Sequence, residues 1–97
     1  MNDLDRTIHE PARLRVLMVL SGVDTADFNF LSSALNLTSG NLSAHLDRLD
    51  KAGYVEIRKS FQGKTPRTEC RLTASGRRAL TQYWKAIDEI RALQHQR

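Results

Sequence analysis

Between Thr38 and Arg48 the chain sets out a group of side chains suited to hydrogen-bonding another molecule: Thr38-Ser39-Gly40-Asn41, then Ser43-Ala44-His45, then Arg48. Leu42, Leu46 and Leu49 recur among them at i, i+4 and i+7, the interval that lines up one buried stripe of a helix. Projected at about 100° per residue with the leucines inward, Gly40, Asn41, Ala44, Asp47, Arg48 and Lys51 fall on the outward side, with Ser43 and His45 on its flanks. Gly40 and Ala44 carry almost no side chain, so a second surface can approach the backbone there. Asn, Ser and Arg are residue types that pair with base edges, and a major groove roughly 12 Å wide admits one helix. The alternative is a solvated polar face with no partner. Asp47 favours that alternative unless it accepts from a cytosine amino group or pairs with Lys51 one turn on.

A basic hairpin follows at once. Tyr54 to Ser60 alternates, with Val55 and Ile57 to one side and Glu56 and Arg58 to the other, the period of a half-buried strand, and Thr68 to Leu72 returns in the same pattern. Phe61-Gln62-Gly63-Lys64-Thr65-Pro66-Arg67 between them reads as a projecting loop with Gly and Pro as turn residues and Lys64 and Arg67 as phosphate or minor-groove probes. The net charge of +4 is modest, but from Arg58 to Arg78 seven basic residues stand against one acidic, whereas the preceding segment is net acidic. Such an asymmetry suits phosphate contacts, which supply affinity without sequence information.

The remaining elements must hold these two in place. Pro11 sits well in the first turn of a helix, where its missing N–H has no intrahelical partner to lose, and Leu14, Leu17, Met18 and Leu20 make that helix a core element ending before Gly22. Asp3 to His9 reads as a shorter preceding helix, with Leu4 and Ile8 on one face. Asp27-Phe28 suits a very short strand against the hairpin, and Asn29 can cap a helix carrying Phe30, Leu31, Ala34 and Leu35. Asn36-Leu37-Thr38 then turns the chain into the helix of the leucine stripe. Thr38 or Ser39 caps that helix and Gly53 ends it. Thr73 caps a final helix with a broad apolar stripe of Leu80, Tyr83, Trp84, Ile87, Ile90 and Leu93. This stripe either folds back on its own domain or packs against a second copy. The dimer is the expectation, with Leu4 and Ile8 contributing, because a 97-residue chain has few surfaces left to cover so much apolar area.

Other chemistries are thin. Cys70 is the only cysteine, which excludes an intramolecular disulfide and a paired-thiolate metal site, and its strand register with Thr68 and Leu72 predicts a small buried residue. His9, His45 and His95 lack ligand spacing, so no metal site is expected. With no phosphate loop, activated nucleophile or grouped carboxylates, an enzyme is not expected and no cofactor is implied. Two Asn-x-Ser/Thr matches, at Asn36 and Asn41, read as chance in a chain with no signal peptide or membrane span, and a cytoplasmic location is expected.

The order and spacing of these pieces resemble the winged-helix branch of the helix-turn-helix proteins, in particular compact stand-alone regulators related to the MarR and ArsR groups. The resemblance is carried by Asp27-Phe28-Asn29, by Leu37 to Leu46, by Ala52-Gly53-Tyr54-Val55, by the wing Phe61 to Thr68, and by Leu72-Thr73 leading to Gly76-Arg77-Arg78, and it covers nearly the whole chain. It implies a mainly α fold with a small β-hairpin wing, as one domain over residues 1–97: N-terminal helices at 1–21, helix-turn-helix at 27–53, wing at 54–72 and an extended C-terminal dimerisation helix at 73–97. It also implies a sequence-specific, dimeric transcriptional regulator on a pseudo-palindromic operator, reading the major groove with helix 38–52, and repression is expected from its compactness. A small-molecule effector between the C-terminal helices and the body fits the same resemblance, although no polar constellation marks its site. An aromatic often stands in that family where Cys70 stands here. The rival reading is a winged-helix adaptor that binds another protein through its C-terminal stripe.

Overall fold

The computed structural model describes residues 3–95, so the ends of the expected domain, residues 1–2 and 96–97, lie outside the described residues. Helix α1 runs Pro11–Ser21, strand β1 Ala26–Asp27, α2 Phe28–Leu35, α3 Ser39–Lys51, β2 Val55–Gln62, β3 Thr65–Leu72 and α4 Ala74–Ala92, with a 3-10 turn at Leu93–His95. The sheet is antiparallel in the order β1-β3-β2, with Ala26 opposite Cys70, and Val55 opposite Leu72. This is a winged helix: helices around a small sheet whose β2–β3 hairpin forms the wing.

The core gathers one face of every helix. Val16, Leu17 and Leu20 of α1 meet Leu31 and Leu35 of α2, the three leucines of α3, and Val55 and Cys70 from the sheet. Burying a side chain of this size is worth roughly 1.5–3 kcal/mol, so the α3 stripe alone fixes which side of that helix faces water. The apolar run of α1 is displaced from its expected phase: Met18 is 49% exposed, while Ala12 and Val16 are buried in its place. Phe30 of α2 likewise points outward, and Ala34 is exposed.

Helix ends follow local chemistry. Glu10 caps α1, its carboxylate accepting from the Ala12 and Arg13 amides, with Pro11 in the first turn. Thr38 caps α3 by accepting from the Asn41 amide, and Thr73 caps α4 by accepting from Gly76. For α2 the cap is Asp27 rather than Asn29, because β1 ends one residue sooner than expected and its last carboxylate reaches the Asn29 and Phe30 amides. Asn36 closes α2 in the left-handed region at φ 54°, a conformation its short polar side chain tolerates.

Asp3 to His9 does not form the helix expected of it. The Asp5 carboxylate accepts from the Thr7 and Ile8 amides and the His9 amide bonds the Asp5 carbonyl, one capped turn that goes no further because the Glu10 amide bonds back to the Ile8 carbonyl and Glu10 is extended ahead of Pro11. The hairpin also differs: Gln62 pairs with Thr65, leaving a tight Gly63-Lys64 turn with Gly63 at φ 64° in place of a long loop. Pro66 therefore lies within β3 opposite Phe61. A two-residue turn makes Gln62 and Thr65 the hydrogen-bonded pair, so the next position needs no amide toward β2, and β1 reaches only as far as Glu69.

Candidate nucleic-acid interface

With Leu42, Leu46 and Leu49 sealed inside, Ser39, Gly40, Asn41, Ser43, Ala44, Asp47, Arg48 and Lys51 are all exposed on α3. Thr38 is exposed as well, with its hydroxyl oxygen engaged as the cap. A Cβ placed on Gly40 would meet nothing within 4 Å, so the space in front of the first turn is open. Asp47 and Lys51 form an ion pair at 2.9 Å, which offsets the charge that a carboxylate would otherwise present on this face. His45 is held differently from its neighbours. Its Nδ1 lies 3.2 Å from a Glu10 carboxylate oxygen and 3.3 Å from the Arg13 guanidinium, and its side chain is half-buried where α1 meets α3. Burial alone would push the Glu10 carboxyl up, but the two backbone N–H donors and the charges of His45 and Arg13 hold it below its ordinary value.

The wing leaves the end of α3 through a rigid root. Gly53, at φ 80°, turns the chain, and the Thr73 hydroxyl donates to its carbonyl at 2.6 Å. A Cβ on Gly76 would overlap the Tyr54 carbonyl oxygen, so α4 can begin this close to the hairpin only with glycine there. The Tyr54 hydroxyl donates to Asp5, and that hydrogen bond, aided by burial and the carboxylate charge, pushes its pKa up to about 12.

Ion pairing divides the wing's cations. Arg58 and Arg71 lean on Glu56, whose carboxyl is held low chiefly by the Arg71 hydrogen bond. Arg67 lies 3.7 Å from Asp27 and 3.5 Å from Glu69 and donates to Gln62 at 3.1 Å, so it is laid across the outer face of the sheet rather than projecting from the tip. Lys59, Lys64 and Arg78 have no carboxylate partner among the described residues. Lys64 stands in the turn itself. Lys59 lines a cleft of about 410 Å³ between α3 and the wing, facing Ser39, Ser43 and Asp47. The sequence reading passed over Lys59, although the period-two register that puts Val55 and Ile57 on the core side carries it to the same side.

Cys70 is buried, and desolvation, with the nearby Asp27 charge, pushes its thiol up to about 11. Among the described residues no three His, Cys, Asp or Glu side chains converge on a metal position, and no helix is long and apolar enough to cross a membrane.

The apolar stripe assigned to a dimer splits in two. Leu80 and Tyr83 are buried against the chain's own body, and Ile8 is fully buried there, so these three belong to the core of a single copy. Leu4 packs partly against the same core. Trp84 and Ile90 of α4 and Leu93 of the turn that follows it are exposed, and Ile87 is half-buried.

Comparison with known proteins agrees with this architecture. A family model described as "Winged helix DNA-binding domain" matches residues 12–91. An uncharacterized protein of Methanocaldococcus jannaschii is 39% identical over 71 residues, which cover 73% of this chain and 77% of that protein. The fold is similar to that of a transcriptional regulator homologue from Pyrococcus horikoshii OT3, with a TM-score of 0.87 at 24% identity over 95% of this chain and 91% of that one. It is also similar to mutant MarR from E. coli complexed with operator DNA, with a TM-score of 0.67 at 24% identity over 76% of this chain and 52% of that one.

Proposed function

Because the chain belongs to the winged helix DNA-binding domain family, we propose that it is a sequence-specific transcriptional regulator that binds a pseudo-palindromic operator as a homodimer and represses by occupying a promoter in the cytoplasm. The observation that carries this reading is the two-sidedness of α3. Its back is clamped by three buried leucines, and its front is open, small and able to hydrogen-bond, so base-reading groups are presented at a fixed angle. Asn41 and Arg48 are assigned to base edges, with Ser39, Gly40, Ser43 and Ala44 allowing close approach. Thr38 and Lys64 are assigned to phosphates, and Lys59 joins them from the cleft between helix and wing. The mutant MarR of E. coli, a protein of the same fold, is complexed with operator DNA in its crystal structure, which supports the assignment.

Dimerisation is assigned to the far half of α4. Trp84, Ile87 and Ile90 follow one another at three-residue steps on α4 and Leu93 continues them into the 3-10 turn, a band that winds around the helix, and a second copy crossing it in a two-fold contact would remove much of it from water. Two reading helices would then stand about one helical turn of DNA apart, roughly 34 Å. Any effector would act by changing that separation. The alternative of a solvated face with no partner drew on Asp47, and the ion pair of Asp47 with Lys51 weakens that support.

Substitution separates the roles. Asn41→Ala should change which duplex is preferred, while Lys64→Ala should weaken selected and scrambled duplexes by the same factor and lower the salt dependence. Equal losses on both duplexes for both variants would overturn the assignment. For the dimer, light scattering should give twice the chain mass for the native protein and one chain mass for Trp84→Glu. A native monomer at working concentration would refute it.

A further inference from the structure

The outward stripe of α3 runs on into a second cleft, on the flank away from the wing. Asn41, Ala44, Arg48 and Lys51 stand at i, i+3, i+7 and i+10, and the last two open onto a cleft of about 380 Å³ walled on its other side by Arg6 and Thr7, with Arg13 at its back. Four cations border this space and no acidic side chain lines it. Arg13 is committed to holding the wall in place: its Nε donates to the Thr7 carbonyl at 2.6 Å, and its guanidinium lies 3.6 Å from the Glu10 carboxylate. Lys51 shares its charge with Asp47, which stands outside the cleft. Arg6 and Arg48 have no carboxylate partner among the described residues.

Like charges gathered in one concavity focus a positive potential and raise the local concentration of anions. Thr7 adds an uncharged residue to the wall. The planar Arg forks and the Lys ammonium suit the several oxygens of a phosphate better than the single plane of a carboxylate. We infer that this cleft holds a phosphate group, and specifically a backbone phosphate of the bound duplex on the lip of the groove opposite the lip that the wing reaches. Seven residues at about 1.5 Å rise separate Asn41 from Arg48, a span of about 10 Å, comparable with the roughly 12 Å width of a major groove. A helix with Asn41 and Arg48 over the bases thus brings the Arg6 and Lys51 walls of the cleft to the sugar–phosphate edge. The inference rests on the reading of α3 as the groove helix. Its shared chemistry with a free phosphorylated molecule is separated by experiment.

The full chain is titrated with its selected duplex and a scrambled control over a range of salt. Arg6→Gln should weaken both duplexes equally and flatten the log–log salt slope by about one, so that raising salt from about 50 to about 200 mM costs the variant about fourfold less affinity than it costs the native chain. Lys51→Gln should do the same with a larger loss, since it also leaves Asp47 unpaired, whereas Lys85→Gln on α4 should leave the slope unchanged. Unaltered slopes for Arg6→Gln and Lys51→Gln, in a protein that still prefers its selected duplex, would overturn the inference. If the native chain binds no duplex, the groove reading itself has failed, and a pyrophosphate titration followed by amide NMR decides the rest. Shifts confined to Thr7, Arg48 and Ala52 and lost in the Arg6→Gln/Arg48→Gln double variant support a phosphate cleft that serves a free ligand, and a flat response overturns it.

Discussion

Helix α3 and the wing lie side by side on one face of the molecule and are built by opposite means. The helix is anchored through its whole length by leucines that see no water, and its outward residues inherit a fixed geometry. The wing leaves the core after Ile57, so that by its tip Phe61 is 73% exposed and only cross-strand pairing and ion pairs hold its shape. A rigid helix can discriminate among bases, because misplaced hydrogen bonds are not easily relaxed. A hairpin with an exposed cation at its turn supplies attraction that tolerates any sequence. The difference teaches where specificity and affinity are divided, and it yields substitutions that should strike one region and spare the other.

The largest contrast is in stability. Leu42→Ala should cost about 2–5 kcal/mol in urea unfolding, whereas Phe61→Ala should cost within about 0.5 kcal/mol; similar losses would mean that the wing tip is packed in solution as it is not here. Next comes the root that joins the two regions. Gly76→Ala forces α4 off the Tyr54 carbonyl and should destabilise by about 1–3 kcal/mol despite the better helix propensity of alanine, and a neutral result would show that α4 can shift freely.

A smaller effect reports on how α3 is braced against α1. The Glu10 carboxyl is held below its ordinary value in the fold, so it contributes stability that is complete above its unfolded pKa and is lost as pH falls through the lowered folded one. Glu10→Gln should therefore shallow the acid limb of the stability curve and cost about 1 kcal/mol at neutral pH, through loss of the charged cap and of the His45 contact. An unchanged acid limb would place the sensitivity elsewhere.

The smallest change in stability carries the sharpest functional contrast. Gly40→Ala has room for its methyl and should hold or raise stability by up to about 1 kcal/mol, yet it should weaken the selected duplex if the α3 backbone approaches the bases there. Full binding by this variant would move the closest approach away from the first turn.

Much of this arrangement was legible in the chain. The leucine spacing located α3 and its outward face because one strict period leaves a single phase. The caps at Thr38 and Thr73 were readable because a hydroxyl before an apolar-periodic run has one dominant use. Asp3 to His9 was drawn as a helix because Leu4 and Ile8 share a helical face, whereas the turn that Asp5 caps stops where the Glu10 amide bonds the Ile8 carbonyl, and Asn29 was taken for a cap because it stands two residues beyond an equally good one, Asp27. The wing turn was drawn too long, since Pro66 reads as a breaker unless the pairing shows that its position lacks a ladder bond. At the site, side-chain pairing escaped the sequence: Arg67 is drawn onto Asp27 and Glu69 from distant positions, and His45 onto Glu10. The stripe of α4 could not be divided in advance, because Tyr83 and Ile90 fit the same helical pattern while only Tyr83 has the body of the protein beside it.

The most direct test is selection of bound sequences from a random duplex library, followed by titration of the winner and a scrambled control at two salt concentrations. An enriched pseudo-palindrome with half-sites about one helical turn apart, bound on the order of a thousandfold more tightly than the control, is the expected result. Absence of enrichment, with only weak binding that salt abolishes equally for every duplex, would contradict base reading by α3.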